Sequence, residues 1–219
     1  NFFPTVGDMV IDTNDTFFND TSNDSLKFRN VVSHEHGHGL GLSHVCPINQ
    51  SKLMEPFVST AFDGPQHDDI LGGQRQHGDV LEPNDTTATA SPLGTLSTTA
   101  TTVNLVSLDG TSDVDLFQFN TAGANTQVSV TVTPIGETYL EGPQNAGGSC
   151  SAGSNFNSLI IRDLSVELLD VNGATLASVN AQGAGGAETL IHTTGTSTGP
   201  YSVRVVGDAT DSIQLYDLA

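Results

Sequence analysis

Tryptophan is absent, tyrosine occurs three times, cysteine twice, and lysine and arginine together supply only 6 of 219 residues. Each shortage closes off a class of function. Against those 6 stand 25 acidic residues, a formal net charge of -19, and such a surface repels phosphate backbones, which argues against nucleic-acid binding. No run approaches the ~20 consecutive apolar residues of a membrane helix, so a membrane span is excluded. Two cysteines are too few for a disulfide framework, and neither lies in a paired zinc spacing. What remains is 36% hydrophobic, with 23 Gly, 9 Pro and abundant Thr, Ser and Asn, a mixture that suits β-rich, turn-rich secreted modules. The start, Asn1-Phe2-Phe3-Pro4, has no initiator Met, basic stretch or signal core and reads as a processed or incomplete chain.

Composition changes near residue 80. Six of the seven histidines precede it, and the polar stretch from Leu81 to Ala90, with Pro83, has linker character. Residues 1–79 and 80–219 are therefore expected to be separate domains. In the second, residues 114–119, 127–133, 164–169, 174–179, 201–206 and 213–218 are short, mostly alternating runs between Gly, Asn, Asp and Ser. They predict an all-β antiparallel sandwich or jelly roll. Asn172-Gly173 is a candidate type I′ hairpin turn. In the first part, a strand-like stretch at 6–12 and a polar loop precede a helix over 26–39, with Ser25 as its cap, and a second helix over 65–77.

The chemistry concentrates in one run: His34-Glu35-His36-Gly37-His38-Gly39-Leu40-Gly41-Leu42-Ser43-His44. On a helix, His34 and His38 share a face and offer two imidazole nitrogens to one metal. Glu35 follows the first and can reach a metal-held water. Gly39 and Gly41 end the helix and let the chain return His44 as a third ligand. Three neutral histidines leave a tetrahedral position open, as in a catalytic zinc site. His36 points elsewhere on the helix.

This run resembles the H-E-x-x-H-x-x-G-x-x-H signature of the metzincin zinc metallopeptidases. Ser51-Lys52-Leu53-Met54-Glu55-Pro56 looks like the Met-turn, Asp68 to Gln74 like the final helix, and Gly7 to Asp15 like the strand and acidic turn of the matrixin branch. The resemblance implies an α+β catalytic region over residues 6–79, with zinc on His34, His38 and His44, Glu35 as general base, and Met54 as a floor beneath the ligands. It also implies calcium on the acidic turn, at Asp12 and Asp15. Only 33 residues precede His34, where the family places most of a sheet, so the likeness is to the latter half of a catalytic domain.

Glu82-Pro83-Asn84-Asp85-Thr86, Asp113 to Phe119 and Tyr201 to Val205 resemble the bacterial pre-peptidase C-terminal domain, a β-sandwich attached to secreted peptidases. Relatives can bind calcium or polymeric substrates, and Glu82, Asn84, Asp113 and Asp115 supply hard oxygens. The competing reading is solvated loop acids.

Together these readings predict a secreted, extracellular bacterial zinc endopeptidase acting on protein or peptide substrates. The alternatives are a non-catalytic adhesion or assembly module, or the C-terminal piece of a nicked peptidase whose N-terminal segment is a separate partner chain. In a secreted protein the two cysteines most simply pair, joining the two parts as Cys46–Cys150. Pairing with a missing segment, or Cys46 as a small buried hydrophobe, are the other accounts. Residues 139–143 would then border the substrate path. Phe57, Val58, Thr60 and Phe62 would line a wall of the specificity pocket or lie in the core.

Overall fold

The computed structural model describes residues 9–12, 14 and 16–219. Two helices, α1 (Ser22–Gly39) and α2 (His67–His77), flank a short strand, β1 (Val45–Cys46). The remaining strands follow as β2 (Ser91–Leu96), β3 (Val103–Leu108), β4 (Val114–Thr121), β5 (Gln127–Ile135), β6 (Thr138–Pro143) and β7 (Ser154–Asn157). Then come β8 (Leu164–Leu169), β9 (Thr175–Val179), β10 (Glu188–Thr193), β11 (Tyr201–Gly207) and β12 (Gln214–Leu218). Among the described residues no helix is long and apolar enough to cross a membrane.

The chain forms two compact units, and they do not follow sequence order. One comprises the residues up to Gln76 together with Thr138–Phe156; the other comprises His77–Glu137 and Asn157–Ala219. Residues 138–156, expected inside the β module, thus pack with the histidine-bearing segment. They form β6, a turn and β7, which extend β1 into a sheet of order β1-β6-β7. Val45 stands opposite Pro143, and Cys46 opposite Gly142.

In the first unit, α1 begins differently from expectation. Asn23, Asp24 and Ser25 have φ of 50°, 58° and 60°, so right-handed helix starts only after them, and Ser25 is in the wrong conformation to cap it. Arg29 Nη1 instead donates to the carbonyls of Asn23 (3.2 Å) and Asp24, gathering the tight turn from the helix side. The described residues of the expected strand, 9–12, are irregular; residues 6–8 lie outside the description.

The second unit is a β-sandwich. One sheet has order β10-β5-β12-β3, the other β2-β4-β11-β8-β9. Alternation along β5 and β8 sends Val128, Val130, Val132 and Val166, Leu168 inward, where they meet Phe117 and Val203 in one core. The pairing is antiparallel except for β2 with β4, which is parallel. The expected strands at 114, 127, 164, 174, 201 and 213 are present to within two residues at either end. The turn at Asn172-Gly173 is a hairpin but not type I′: of the pair only Gly173 has positive φ, 79°. Asp170 organises it, its Oδ1 accepting the N–H groups of Asn172 (2.8 Å) and Ala174 (2.9 Å).

Arg162, 1% exposed, ties three loops together. Its guanidinium donates to the carbonyls of Gly110 (2.9 Å), Ser212 (3.3 Å) and Asp208 (2.6 Å). Gly110 belongs to the β3–β4 connection, which leads into Asp113. A lysine cannot reproduce a planar fork of donors, so Arg162→Lys is expected to destabilise the sandwich by about 1–3 kcal/mol. Urea denaturation followed by circular dichroism measures this; an unchanged midpoint would show that the fork is dispensable.

Candidate metal centre

The histidine run sits at the C-terminal end of α1. Leu40 closes the helix and Gly41 takes φ 92°. Gly41 N–H donates to the His38 carbonyl (3.0 Å) and Leu42 N–H to the Gly37 carbonyl (3.0 Å), the paired bonds of a Schellman stop. Of the two glycines expected to end the helix, only Gly41 is left-handed; Gly39 remains helical. The stop reverses the chain and brings His44 back over the helix face that carries His34 and His38.

The three rings converge through Nε2. His44 Nε2 lies 3.2 Å from His34 Nε2 and 3.1 Å from His38 Nε2. Zinc–nitrogen bonds of about 2.0–2.1 Å at tetrahedral angles put ligand nitrogens about 3.3–3.4 Å apart, so the spacing fits one metal ion. The other ring nitrogens are all occupied by oxygen acceptors. His34 Nδ1 faces the Leu53 carbonyl (2.7 Å), His38 Nδ1 the Leu42 carbonyl (2.8 Å), and His44 Nδ1 the Gln144 side-chain oxygen (3.0 Å). An oxygen that can only accept requires an N–H at Nδ1, which leaves the Nε2 lone pair inward on each neutral ring. Burial pushes the His34 pKa down and favours that neutral form. Three lone pairs aimed together need a cation between them. The four-residue spacing and the return of His44 were legible in the sequence; Gln144 was not, because it is 100 residues away and lies in no motif.

Met54, expected as a floor to the centre, is 1% exposed and packs against α1 at Gly37. A Cβ on Gly37 would stand 2.5 Å from its sulfur, so only glycine lets the helix approach the methionine. The turn carrying Met54 is built around buried Glu55, whose carboxylate accepts the N–H groups of Gln50 (2.8 Å), Ser51 (2.9 Å) and Lys52 (3.1 Å). Gly72 in α2 has a packing reason: a Cβ there would meet Leu42 at 3.0 Å.

A pocket of about 100 Å³ opens beside His34 and Glu35, walled by Val31, Leu53, Pro56, Val58 and Phe62. Val58 and Phe62 are thus wall residues as expected, whereas Phe57 and Thr60 are exposed and outside it. Buried Asn30 fixes that wall to α1. Its amide donates to the carbonyls of Ser59 and Phe62 (2.9 Å each) and accepts from Gly64 N–H (2.9 Å). Glu35 is exposed, lining this pocket and also the wider groove formed with Met9–Asp12, Phe18, Phe28 and His36.

Cys46 and Cys150 are joined in a disulfide with Cα atoms 5.3 Å apart. Both cysteines belong to the same compact unit, so the bond closes the β6–β7 arm onto β1 within that unit. The expected bond is present; what it joins differs from expectation.

A second cluster lies in the sandwich unit. Asp79, Glu82 and Asp115, and likewise Glu82, Asp85 and Asp113, each present oxygens close enough to share one cation. Asn84 sits in the same turn, fully buried, with neither polar side-chain atom hydrogen-bonded, and one oxygen each of Glu82, Asp113 and Asp115 is also unpartnered. Four free hard oxygens of this kind suit calcium. Asp79 and Asp85 were not among the residues expected there, although Asp85 adjoins Asn84 in the same run. Asp12 Oδ1 accepts the Asn14 N–H (2.9 Å), and Asp12 joins no metal-capable group among the described residues; Asp15 lies outside them.

Three converging imidazoles beside an exposed carboxylate and a walled pocket make a candidate metal centre of the kind that hydrolytic enzymes use. Residues 1–78 match the Matrixin family, which relates this part of the chain to the zinc-dependent metallopeptidases. No curated protein matches the chain. Among solved structures, the chain is similar to the pre-peptidase C-terminal domain of a collagenase from Bacillus anthracis, at 18% identity and a TM-score of 0.37, over 59% of this chain and 92% of that one.

The acidic cluster has a consequence for stability. Burial raises the Asp113 carboxyl to about 7 and the Asp115 carboxyl to about 9, reinforced by neighbouring acids. Asp115 also accepts a hydrogen bond from the buried Tyr216 hydroxyl. Both raised carboxyls hold a proton more tightly folded than unfolded. Their contribution is therefore complete below the ordinary carboxyl value of 3.8 and is lost as pH rises through about 7 and then about 9. In chelator, the Tm of the sandwich is expected to fall as pH rises from about 5 to about 9, and Asp115→Asn to flatten the fall. A pH-independent Tm in both proteins would show that the cluster stays ionised without cost.

Proposed function

We propose that this chain is a secreted zinc-dependent endopeptidase. The observation that carries the reading is the convergence of three imidazole Nε2 atoms, each ring locked in the ligand tautomer by an acceptor at Nδ1. His34, His38 and His44 would hold the metal, which when bound supplies Lewis acidity toward water and a scissile carbonyl. Glu35, one residue along the helix from the first ligand, takes the proton of the attacking water and returns it to the leaving amine. Neutral histidines suit a dicationic metal, and their Nδ1–H groups stay committed to Leu53, Leu42 and Gln144 throughout. The pocket walled by Val31, Leu53, Pro56, Val58 and Phe62 beside His34 suits a medium-sized apolar side chain of a protein substrate. Release into an oxidising, extracellular space is supported by the Cys46–Cys150 disulfide.

Calcium is the second metal of this reading, held in the sandwich by Glu82, Asn84, Asp113 and Asp115 with Asp79 and Asp85. A different reading, a zinc-stapled module without catalysis, draws on the stretch ahead of α1. Its described residues contain a short 3-10 helix at Thr16–Asn19 and otherwise irregular chain.

Glu35→Gln is expected to retain one zinc per chain while casein or gelatin cleavage falls on the order of 10²–10⁴-fold. Metal analysis alongside a cleavage assay separates the readings. Zinc with no cleavage by the wild-type chain supports the non-catalytic module, and a wild-type chain without zinc overturns both. For the sandwich, calcium titration at constant zinc is expected to raise Tm, with a stabilisation of about 2.7 kcal/mol at a hundredfold excess over Kd. A flat titration would leave solvated acids as the account.

A further inference from the structure

We infer that Gln144 is a positioning residue for His44, delivered by the disulfide-tethered β6–β7 arm, so that assembly of the metal centre depends on the Cys46–Cys150 bond. The inference rests on the zinc reading above.

The three Nδ1 acceptors are not equivalent. Leu42 offers a main-chain carbonyl from within the histidine run, and Leu53 one from the Glu55-organised turn that follows it. His44 has no such carbonyl. Its acceptor is a side-chain amide on an arm that leaves the sandwich after Glu137 and returns to it at Asn157. The orientation of that amide is determined internally: Gln144 Nε2 donates to the Gly148 carbonyl (2.9 Å), which leaves Oε1 as the atom facing His44. The turn is ordered by its own bonds, Asn145 N–H to the Ser149 carbonyl and Gly148 N–H to the Asn145 carbonyl, each 2.8 Å.

Two connections hold this turn against the ligand. On one side Pro143 and Gly142 pair with Val45 and Cys46, the two residues after His44. On the other, Gln144 bridges to Cys150, whose sulfur is bonded to Cys46. His44, Cys46, Cys150 and Gln144 therefore close a small ring of covalent and hydrogen bonds. A strand pair of two residues is too short to stay ordered alone; Tyr139, against Lys52 and His67, anchors the start of the arm, and the disulfide is the covalent tie beside Gln144. Without the acceptor, the His44 ring is free to carry its proton on Nε2 or to turn, and either event removes the third ligand. Losing such an outer partner of a metal-bound histidine costs about 10- to 100-fold in metal affinity.

The test compares the full chain with Gln144→Leu, which keeps the bulk without the acceptor, Gln144→Glu, which keeps an acceptor, and the double variant Cys46→Ser/Cys150→Ser. Zinc affinity is read by competition with a chromogenic chelator. Long-range proton–nitrogen NMR of the imidazoles in metal-free protein reads each tautomer directly. Expected for Gln144→Leu is zinc binding about 10- to 100-fold weaker, with His44 alone losing its pure Nδ1–H signature. His34 and His38 keep theirs, which also shows that the unit remains folded. Gln144→Glu is expected to restore the affinity and the His44 signal, and the double serine variant to behave like Gln144→Leu. Should a variant fail to fold, reduction of the wild-type disulfide in the NMR tube gives the same His44 comparison. Unchanged affinity and an unchanged His44 tautomer in Gln144→Leu would overturn the inference, as would equal losses in the Leu and Glu variants. If the wild-type chain binds no zinc, the zinc reading fails, while the tautomer comparison still decides the Gln144–His44 contact.

Discussion

Three imidazole lone pairs directed into one small volume repel one another unless a cation sits among them, and much of the first unit can be read as the means of holding them there. Each ring must be neutral, must keep its proton on the outer nitrogen and must not turn. The helix supplies two rings at one face through its four-residue spacing. The stop at Leu40 and Gly41 supplies the third by reversing the chain within a single turn. Glycine at position 37 lets Met54 pack against α1, and the Glu55 carboxylate organises the turn that carries both Met54 and the Leu53 carbonyl. Removing any one of these would leave the ring nitrogens present but misdirected, and misdirection alone is enough to lose a metal.

The sandwich meets the same electrostatic problem with different atoms. Glu82, Asp113 and Asp115 are drawn together at a loop cluster where burial penalises their charge, and their carboxyl pKa values are raised, those of Asp113 and Asp115 to about 7 and about 9. Unpartnered oxygens and a buried, unbonded Asn84 amide sit in the same place. Protonation and cation binding are alternative ways to discharge such a cluster. Imidazole nitrogens in one unit and carboxylate and amide oxygens in the other are donor sets that suit different metals.

Between them runs an exchange of chain. The β6–β7 arm belongs by sequence to the sandwich and by packing to the histidine unit. Its disulfide and its two-residue pairing with β1 turn a loop into part of the candidate centre, and Gln144 gives His44 the acceptor that the local backbone does not provide. The wall of the neighbouring pocket is likewise fastened from a distance, through three hydrogen bonds of Asn30 to the segment around Ser59, Phe62 and Gly64.

By itself the sequence determined what depends on short-range periodicity. Histidines four apart on a helix, a glycine stop, the alternating valines of β5 and the alternating Leu164, Val166 and Leu168 of β8, and the Glu82–Asp85 run all encode their geometry within a few residues of chain. Most of the sandwich strands were legible for the same reason. Less legible were β3 and β10, where a serine- and asparagine-containing run and a buried Glu188 disguise the alternation; Glu188 is accommodated only because Ala181 and Gln182 donate to it from elsewhere. The pairing partner of β1 and the role of Gln144 were decided by tertiary structure alone, since each depends on residues about 100 positions away. The conformation of Ser25 and the form of the Asn172-Gly173 turn are set by nearer groups, Arg29 and Asp170, that the apolar pattern does not reveal. Spacing along the chain can specify which atoms are offered to a metal. Which oxygen holds each ring in place depends on how distant segments pack, and no local pattern carries that information.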